Sequence, residues 1–362
     1  MHKPKACLYN LLLGMLLLVS PAAMALPLPI FILGDSLADN GNAATAVVGS
    51  GGSLFPIPFT GPGIVPSAPY AISGRFSNGP IWVDYFSAEL GVPIAPALLG
   101  GTNFAFGGAN SGSLAGVPDE PFIPSLRDQA DLLLAATGGV IPADSLVVVF
   151  GGGNDIRDAA VRAGQAFAQT LAMTGDPAQA QLAAQFAAQE TLGSSLLNFA
   201  GIITDLVNAG ARNLLVANAP DLGLTPEAQR SGVAGNVSEL SLLFNQGLEA
   251  LLLDVDAGVP SLTLNLLDIF GILNDLVAAA PGVGLNVSDP CVDIGSVCGS
   301  PEQYLFWDGI HPTTTVHQIL AREVLSATGL PLPGSLLLIM LGLVLLRPAL
   351  NGAPPITPRQ RA

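Results

Sequence analysis

The sequence is poor in basic residues, histidine and cysteine. Its 362 residues include 12 Lys and Arg against 27 Asp and Glu, with only three His and three Cys. So acidic a chain repels phosphate backbones and anionic lipid surfaces, which argues against a nucleic-acid partner. Charged residues make up only 11% of the chain and hydrophobic residues 50%. That apolar fraction excludes a disordered protein and predicts a large buried core.

The two lysines lie at the start of the chain, in a segment typical of export signals. Lys3 and Lys5 precede an apolar run from Leu11 to Val19, and Ala23-Met24-Ala25 follows. A positively charged N-terminal region, a short apolar run and an A-x-A cleavage site predict a signal peptide over residues 1–25, cleaved before Leu26. An uncleaved membrane helix is the alternative, but the run is too short to span comfortably.

The end of the chain has a second segment of this kind, residues 330–362. Leu330-Pro331-Leu332-Pro333-Gly334 leads into the apolar run Ser335–Leu346, which is followed by Arg347 and a proline-rich tail. This pattern resembles the bacterial PEP-CTERM sorting signals, with Leu-Pro-Leu-Pro in place of the usual Val-Pro-Glu-Pro. The resemblance implies passage through a bacterial inner membrane, with export and sorting machinery as partners, and a protein that is anchored in the cell envelope or secreted. An ordinary C-terminal core helix is the alternative.

Two cysteines, Cys291 and Cys298, remain once the predicted signal peptide is removed. They lie in a Gly/Ser/Pro-rich stretch, and in an exported protein such a pair predicts a local disulfide. A metal site is the alternative, but it lacks further cysteine or nearby histidine ligands.

Apolar, β-rich runs alternate with helix-length stretches along residues 26–329. This alternation predicts an α/β protein built in layers around a mostly parallel sheet. The predicted strands are Leu28–Leu33, Ser145–Phe150, Asn213–Ala217 and Ser261–Leu266, and the predicted helices include Pro177–Asn208, Asn236–Ala257 and Thr313–Ala327. The Gly/Pro-rich stretch Ser50–Pro69 predicts a surface loop. Because no linker-like break divides residues 26–329, we expect a single domain.

A serine directly follows the first predicted strand, in the string Gly34-Asp35-Ser36-Leu37. This position places Ser36 at the carboxyl edge of the sheet, where open α/β sheets build their sites. An ordinary strand-to-helix turn with an N-cap accounts for the same residues, and Asp35 is a candidate cap for a helix beginning near Ser36.

Only two histidines, His311 and His317, lie outside the predicted signal peptide. A nucleophilic serine needs a base that works near neutral pH, which is usually histidine. His311 lies in a Trp-Asp-Gly-Ile-His-Pro turn, and Asp308, three residues earlier, can accept the Nδ1 proton and fix the tautomer. A metal pair is the alternative, but a third strong ligand is missing. For His317, inside the following predicted helix, we expect a solvated or satisfied structural role.

The segments around Ser36 and His311, together with three central sequence blocks, resemble the GDSL family of esterases and lipases, the SGNH hydrolases. The blocks, in the family's order, are Gly34–Asn42, Gly74–Trp82, Asn103–Ala109, Gly152–Asp155 and Asp308–Pro312. The resemblance implies a single three-layer αβα domain with a flavodoxin-like sheet. It also implies a carboxylic ester hydrolase that needs no metal or organic cofactor.

The resemblance assigns a role to each matching residue. Ser36 is the implied nucleophile, His311 its general base and Asp308 the residue that orients the base. The oxyanion hole is expected to use the backbone N–H of Ser36, the backbone N–H of Gly108 and the side-chain amide of Asn154. Gly107 is the alternative to Gly108. Tight turns explain both glycines and Asn154 equally well.

Other residues of these blocks are expected to support the site without performing chemistry. We expect Arg75 and Asn78 to brace the loop over the site, and Asp155 to hold local backbone. The implied substrate is a small-molecule or lipid ester. A carbohydrate acetylesterase, or an inactive surface-anchored binding protein on the same scaffold, are the alternatives.

Overall fold

The computed structural model describes residues 28–52, 70, 73–118 and 122–330. The predicted signal peptide, residues 53–69 of the predicted loop and the predicted sorting segment beyond residue 330 lie outside these ranges. Among the residues described, no helix is both long enough and apolar enough to cross a membrane.

Four parallel strands of five residues each form the central sheet. They are β1 (Ile30–Gly34), β2 (Leu146–Phe150), β3 (Asn213–Ala217) and β4 (Thr263–Leu267), hydrogen-bonded in that order. Asn103 adds a further parallel bridge to β1 at Ile32, and the Phe104 N–H donates to the Ile32 carbonyl at 2.7 Å. The segment around Asn103 therefore extends the sheet on the far side of β1 from β2. This is the strand order of flavodoxin-like folds.

Nine α-helices accompany the sheet in the described part of the chain. They are α1 (Asn42–Gly49), α2 (Trp82–Leu90), α3 (Leu126–Ala136), α4 (Gly153–Thr174), α5 (Pro177–Asn208), α6 (Pro226–Arg230), α7 (Ala234–Gly258), α8 (Ile269–Val283) and α9 (Thr314–Thr328). The bounds predicted for β3 and α5 match the structure. The other strands and helices predicted with bounds differ from it by at most two residues at either end.

The strands separate two apolar cores because their side chains alternate between the faces of the sheet. Phe31 and Leu33 of β1 enter a core that contains residues of α3, α4, α5 and α7. Ile30 and Ile32 enter a second core with residues of α2, α8 and α9. Helices thus cover both faces, which explains why the sequences of β1 and β2 are continuously apolar. The arrangement confirms the predicted three-layer αβα fold.

The longest helices, α4 and α5, form a hairpin. α4 ends at Thr174 and is capped by Gly175, whose φ of 67° lies in the left-handed region that favours glycine. α5 begins immediately afterwards, because the Asp176 carboxylate accepts hydrogen bonds from the N–H groups of Ala178 and Gln179 and Pro177 occupies the first turn. At its other end, α4 begins at Gly153, three residues after the end of β2 at Phe150, so its start lies at the carboxyl edge of the sheet.

A small disulfide hairpin lies beside the last loop before α9. Its strands are β5 (Val292–Asp293) and β6 (Ser296–Val297), and a Cys291–Cys298 disulfide closes it with a Cα–Cα distance of 4.9 Å. The disulfide predicted from the sequence is confirmed.

Candidate active site

The turn that carries Ser36 is held tightly against the end of β1. The Asp35 N–H donates to the carbonyl of Phe150 at 3.2 Å, and the Asp35 carbonyl accepts from the N–H groups of Ala38 and Asp39. A Cβ on Gly34 would lie 2.7 Å from the Ala38 Cβ and 2.9 Å from the Phe150 carbonyl oxygen, so only glycine fits there. The turn therefore presents Ser36 at the carboxyl edge of the sheet.

The structure brings Ser36, His311 and Asp308 into one hydrogen-bonded chain. The Ser36 Oγ lies 2.8 Å from Nε2 of His311, although the two residues are 275 positions apart in the sequence. The other ring nitrogen, Nδ1, lies 2.7 Å from Oδ2 of Asp308. All three residues are buried, and Asp308 is completely inaccessible to solvent. Hydroxyl, imidazole and carboxylate thus stand in the order that serine activation requires.

The loop that contains Asp308 and His311 is ordered by its own backbone. Oδ1 of Asp308 accepts from the N–H groups of Ile310 at 2.9 Å and His311 at 2.7 Å. The ring of Phe76 packs against the imidazole at a centroid distance of 5.3 Å. These contacts fix both the carboxylate and the ring before any substrate binds.

Arg75 and Asn78 hold the neighbouring loop in place. Arg75 forms a bidentate pair with Asp84 at 2.6 and 2.7 Å. Oδ1 of Asn78 accepts from the Thr314 N–H at 2.8 Å, which ties this loop to the start of α9. Both residues make the bracing contacts expected of them.

The two candidate glycines of the oxyanion hole differ in their backbone contacts. The N–H of Gly107 donates to Oδ2 of Asp39 at 2.9 Å. The N–H of Gly108 has no hydrogen-bond partner among the described residues, and its φ of 84° requires glycine. The geometry therefore favours Gly108 as the donor to an oxyanion. The same holds for the Ser36 N–H, which is also without a partner within the described ranges.

Asn154 lies at the start of α4, half-buried, beside the loop that contains Gly108. Its side-chain amide donates to the Ala109 carbonyl at 3.0 Å. Because an amide group has two N–H bonds, this contact orients Asn154 and leaves the second bond for another acceptor.

A sequence model of the GDSL-like lipase/acylhydrolase family matches residues 30–324. The chain belongs to this family. Membership confirms the family resemblance of the five blocks, and with it the class of carboxylic ester hydrolases.

Similar proteins in this family include enzymes of a plant. One GDSL esterase/lipase of Arabidopsis thaliana is 27% identical over 333 residues, covering 81% of this chain and 80% of the relative. GDSL esterase/lipase 7 of the same plant is 25% identical over 339 residues, covering 82% and 87%. Among solved structures, a catalytic mutant of Axe2, an acetylxylan esterase from Geobacillus stearothermophilus, is 13% identical with a TM-score of 0.44, covering 84% of this chain and 94% of that chain.

Two supporting residues of this GDSL-family site were not identified from the sequence. Gln129 of α3 is fully buried and forms two hydrogen bonds with the backbone of Gly34, at 2.8 and 2.9 Å. Its signal was a polar residue on the otherwise apolar inner face of α3. The Tyr70 hydroxyl donates to Oδ2 of Asp308 at 2.6 Å. A lone tyrosine beside a Gly/Pro-rich stretch gives no comparable signal.

Asp35 does not cap a helix, contrary to the sequence-based expectation. The residues after it form a turn, and α1 begins only at Asn42. Oδ1 of Asp35 accepts from the Leu37 N–H within that turn, at 2.9 Å. The start of α1 is held instead by the Asp39 carboxylate, which accepts from the N–H groups of Asn42 and Ala43.

His317 is neither solvated nor satisfied, which corrects the second expectation. Its side chain is fully buried in α9, and neither ring nitrogen has a hydrogen-bond partner among the described residues. Burial, with a smaller contribution from the charge of His311, lowers the pKa of His317 to about 3. The ring is therefore neutral at physiological pH.

Asp155 holds local backbone, as expected, and links three segments near the site. Its carboxylate accepts from the backbone N–H and the hydroxyl of Ser111 and from the hydroxyl of Ser195 on α5. Burial raises the pKa of this carboxyl above its ordinary value. No group of three or more His, Cys, Asp or Glu side chains that could hold a metal ion occurs in the described part of the chain.

Two clefts border this GDSL-family site. A groove of about 770 Å³ runs between α4, α5 and α7 and reaches Ile310 beside His311. Its lining is mixed: apolar side chains such as Phe167 and Leu240 alternate with polar ones such as Gln185 and Glu239. A second cleft of about 990 Å³ begins at Gly108. It includes the polar side chains Asn110, Arg127, Asp128 and Asn198.

Asp35 makes the stability of the protein depend on pH in a specific direction. Burial raises the pKa of its carboxyl from 3.8 to about 6. The folded protein therefore holds this proton more tightly than the unfolded chain does. The stabilisation is complete below about pH 4 and is lost as the pH rises through about 6, a change of about 3 kcal/mol.

Replacement of Asp35 by asparagine removes this titration and keeps an acceptor for the Leu37 N–H. We expect the free energy of unfolding of Asp35→Asn, relative to wild type, to rise by about 3 kcal/mol between about pH 4 and pH 7.5. Urea denaturation at a series of pH values measures it. Asp293→Asn is the control, because hydrogen bonding to Arg230 lowers the pKa of the Asp293 carboxyl, so that this group titrates below pH 4 and its difference from wild type is expected to stay flat between pH 4 and pH 7.5. A pH-independent difference for Asp35→Asn would contradict the prediction.

Proposed function

We propose that this protein is an exported serine esterase or lipase that hydrolyses carboxylic esters through Ser36, His311 and Asp308. The hydrogen-bond chain from the Ser36 hydroxyl through the imidazole to the Asp308 carboxylate is the observation that supports it most directly. The family membership supports the reaction class independently.

In the proposed reaction, Oγ of Ser36 attacks the ester carbonyl carbon while Nε2 of His311 takes the hydroxyl proton. The imidazolium that forms is stabilised by Asp308. The carbonyl oxygen becomes an oxyanion, which accepts hydrogen bonds from the N–H groups of Ser36 and Gly108 and from the Asn154 amide. Removing one donor of this kind costs about 10²–10³ in rate in other hydrolases.

Collapse of this intermediate expels the alcohol, which takes its proton from His311, and leaves an acyl group on Ser36. Water then attacks the acyl-enzyme as His311 removes its proton, and the carboxylic acid and free serine are released. Fluorophosphonate labelling tests this proposal, because only an activated serine reacts. We expect one labelled peptide, containing Ser36. An unlabelled native protein would indicate the inactive binding protein considered as the alternative.

The groove between α4, α5 and α7 supports an ester with a long acyl chain as substrate. Val161, Phe167, Leu192 and Leu240 offer an apolar surface along it, and it reaches Ile310, the residue next to the catalytic histidine. Each methylene placed in such a groove contributes about 0.8 kcal/mol of transfer free energy. The cleft beside Gly108 supports the alternative, a carbohydrate acetylesterase, because the polar side chains in its lining suit sugar hydroxyls.

Gly164→Trp separates the two substrates. Gly164 lines the groove from α4, and a Cβ there meets nothing within 4 Å, so the variant fills the groove without disturbing the fold. We expect kcat/KM for p-nitrophenyl decanoate to fall about tenfold or more while that for the acetate changes little. Gly193→Trp, at an equally open helical glycine of α5 outside the groove lining, is the matched control. An unchanged chain-length profile, with hydrolysis of acetylated sugars, would favour the acetylesterase.

For localisation, we propose cleavage after Ala25, a hydrolase domain over residues 26–329, and sorting or anchoring by residues 330–362 in a bacterial envelope. Fractionation of cells that express a chain truncated after Gly329 tests the last step. Truncation is expected to move the protein from the envelope to the medium. Unchanged release would identify a plain secreted enzyme.

A further inference from the structure

Four hydrogen-bond donors converge on the carboxylate of Asp308. The N–H groups of Ile310 and His311 occupy Oδ1. Oδ2 is shared by Nδ1 of His311, at 2.7 Å, and by the hydroxyl of Tyr70, at 2.6 Å. Nδ1 of His311 and the Tyr70 hydroxyl therefore share one oxygen. The Tyr70 contact is not required to orient His311, because Asp308 already bonds both the backbone N–H and Nδ1 of that residue.

We propose that Tyr70 is a positioning residue of the triad, which fixes Oδ2 of Asp308 and tunes the basicity of His311, and that the Cys291–Cys298 hairpin holds Tyr70 in place. The proposal rests on the proposed function, since it concerns how readily His311 accepts the proton of Ser36.

The electrostatic effect follows from the sharing of Oδ2. A buried carboxylate needs donors to offset its desolvation, and the Tyr70 hydroxyl supplies one without carrying charge. Burial and the negative charge of Asp308 both raise the pKa of Tyr70, so the phenol remains a donor at every physiological pH. Because the phenol draws electron density from Oδ2, the imidazolium of His311 is stabilised less than it would be by an unshared oxygen.

The disulfide hairpin packs directly against this arrangement. The N–H groups of Cys291 and Val292 donate to the carbonyls of Phe306 and Trp307, at 3.0 and 2.7 Å, so the hairpin is bonded to the residues just before Asp308. Trp307 meets the Tyr70 ring edge-on at 5.5 Å. These two rings, the disulfide and Val292 form one buried cluster. The cross-link thus orders the face on which Tyr70 rests.

Tyr70→Phe removes only the hydroxyl and leaves the ring that packs on Trp307. Without the shared donor, Asp308 stabilises the imidazolium more strongly, so the acid limb of kcat/KM is expected to move to higher pH by about half a unit to one unit. We expect kcat on the plateau to fall several-fold with little change in KM. Tyr85→Phe is the matched control, because its hydroxyl forms a hydrogen bond with the Thr314 hydroxyl, at 2.9 Å, and has no contact with the triad among the described residues. A limb that does not move, or moves to lower pH, would overturn the proposal.

Two other titratable groups lie near enough to His311 to affect it, and the experiment separates them. Asp35, with a pKa raised by burial to about 6, would titrate in the measured range, whereas His317, with a pKa near 3, would not. The profile is therefore also measured in the Asp35→Asn background. The same shift there supports Tyr70, and its disappearance there would assign the limb to Asp35 and overturn the proposal.

Combining substitutions tests whether the disulfide acts through Tyr70. The Cys291→Ser/Cys298→Ser variant is expected to shift the acid limb in the same direction, and adding Tyr70→Phe is expected to shift it no further. Additive shifts would show that the hairpin does not act through Tyr70. Circular dichroism and fluorophosphonate labelling report folding and serine reactivity for each variant. An unlabelled wild-type protein would overturn the proposed function itself, whereas a labelled one with an unmoved limb in Tyr70→Phe overturns only this inference.

Discussion

Ser36→Ala is expected to lower kcat/KM for p-nitrophenyl esters by about 10⁴-fold or more and to abolish fluorophosphonate labelling. The substitution removes the atom that would form the acyl-enzyme. His311 and the oxyanion donors remain, but they could assist only direct attack by water. The side chain of Ser36 makes a single hydrogen bond among the described residues, to His311, and its turn is held by the backbone of Asp35. The variant should therefore fold normally.

Ser145→Ala is the matched control for this experiment. Ser145 is also buried, but it precedes β2 at the opposite, amino-terminal edge of the sheet, where its hydroxyl bonds the Pro142 carbonyl. We expect wild-type activity from this variant and an unchanged thermal unfolding midpoint from both. Hydrolysis by Ser36→Ala at the wild-type rate would refute the assignment of the nucleophile, whatever the distances in the site.

The sequence contained enough local information to predict the layers and the strands. β1 and β2 are buried on both faces, so each appears as a short, continuously apolar run bounded by turn residues. The start of α5 was equally predictable, because Asp176 and Pro177 form a helix-start signal that does not depend on distant residues. Where the controlling contacts are local, pattern and structure agree.

Long-range contacts account for what the sequence did not reveal. The choice between Gly107 and Gly108 depends on Asp39, whose carboxylate occupies one N–H and not the other from 68 positions away. Tyr70 reaches Asp308 across 238 positions, and nothing in its local sequence indicates that contact. His317 is a second example. Helical spacing can identify the buried face of a helix, but it cannot show whether a buried polar side chain finds a hydrogen-bond partner there.

Asp308→Asn is also expected to lower activity strongly, and the reason lies in the hydrogen bonds of this carboxylate. Within the described ranges, its carboxylate accepts four hydrogen bonds, two on each oxygen. An amide has only one oxygen, so its NH₂ group must face one pair of these donors. If it faces Nδ1 of His311, the ring must carry its proton on Nε2, and it can no longer take the proton of Ser36.

In the other orientation, the NH₂ group opposes the N–H groups of Ile310 and His311 and disrupts the loop. Either outcome is expected to lower kcat by about 10⁴-fold near neutral pH, with a parallel loss of fluorophosphonate reactivity. Asp268→Asn is the control at the same sheet edge, because Asp268 accepts from Gly271 and Asn218 through one oxygen that an asparagine retains. Activity of Asp308→Asn within tenfold of wild type would mean that Asp308 does not set the tautomer of His311. Asp308 would then have no role in the proposed mechanism.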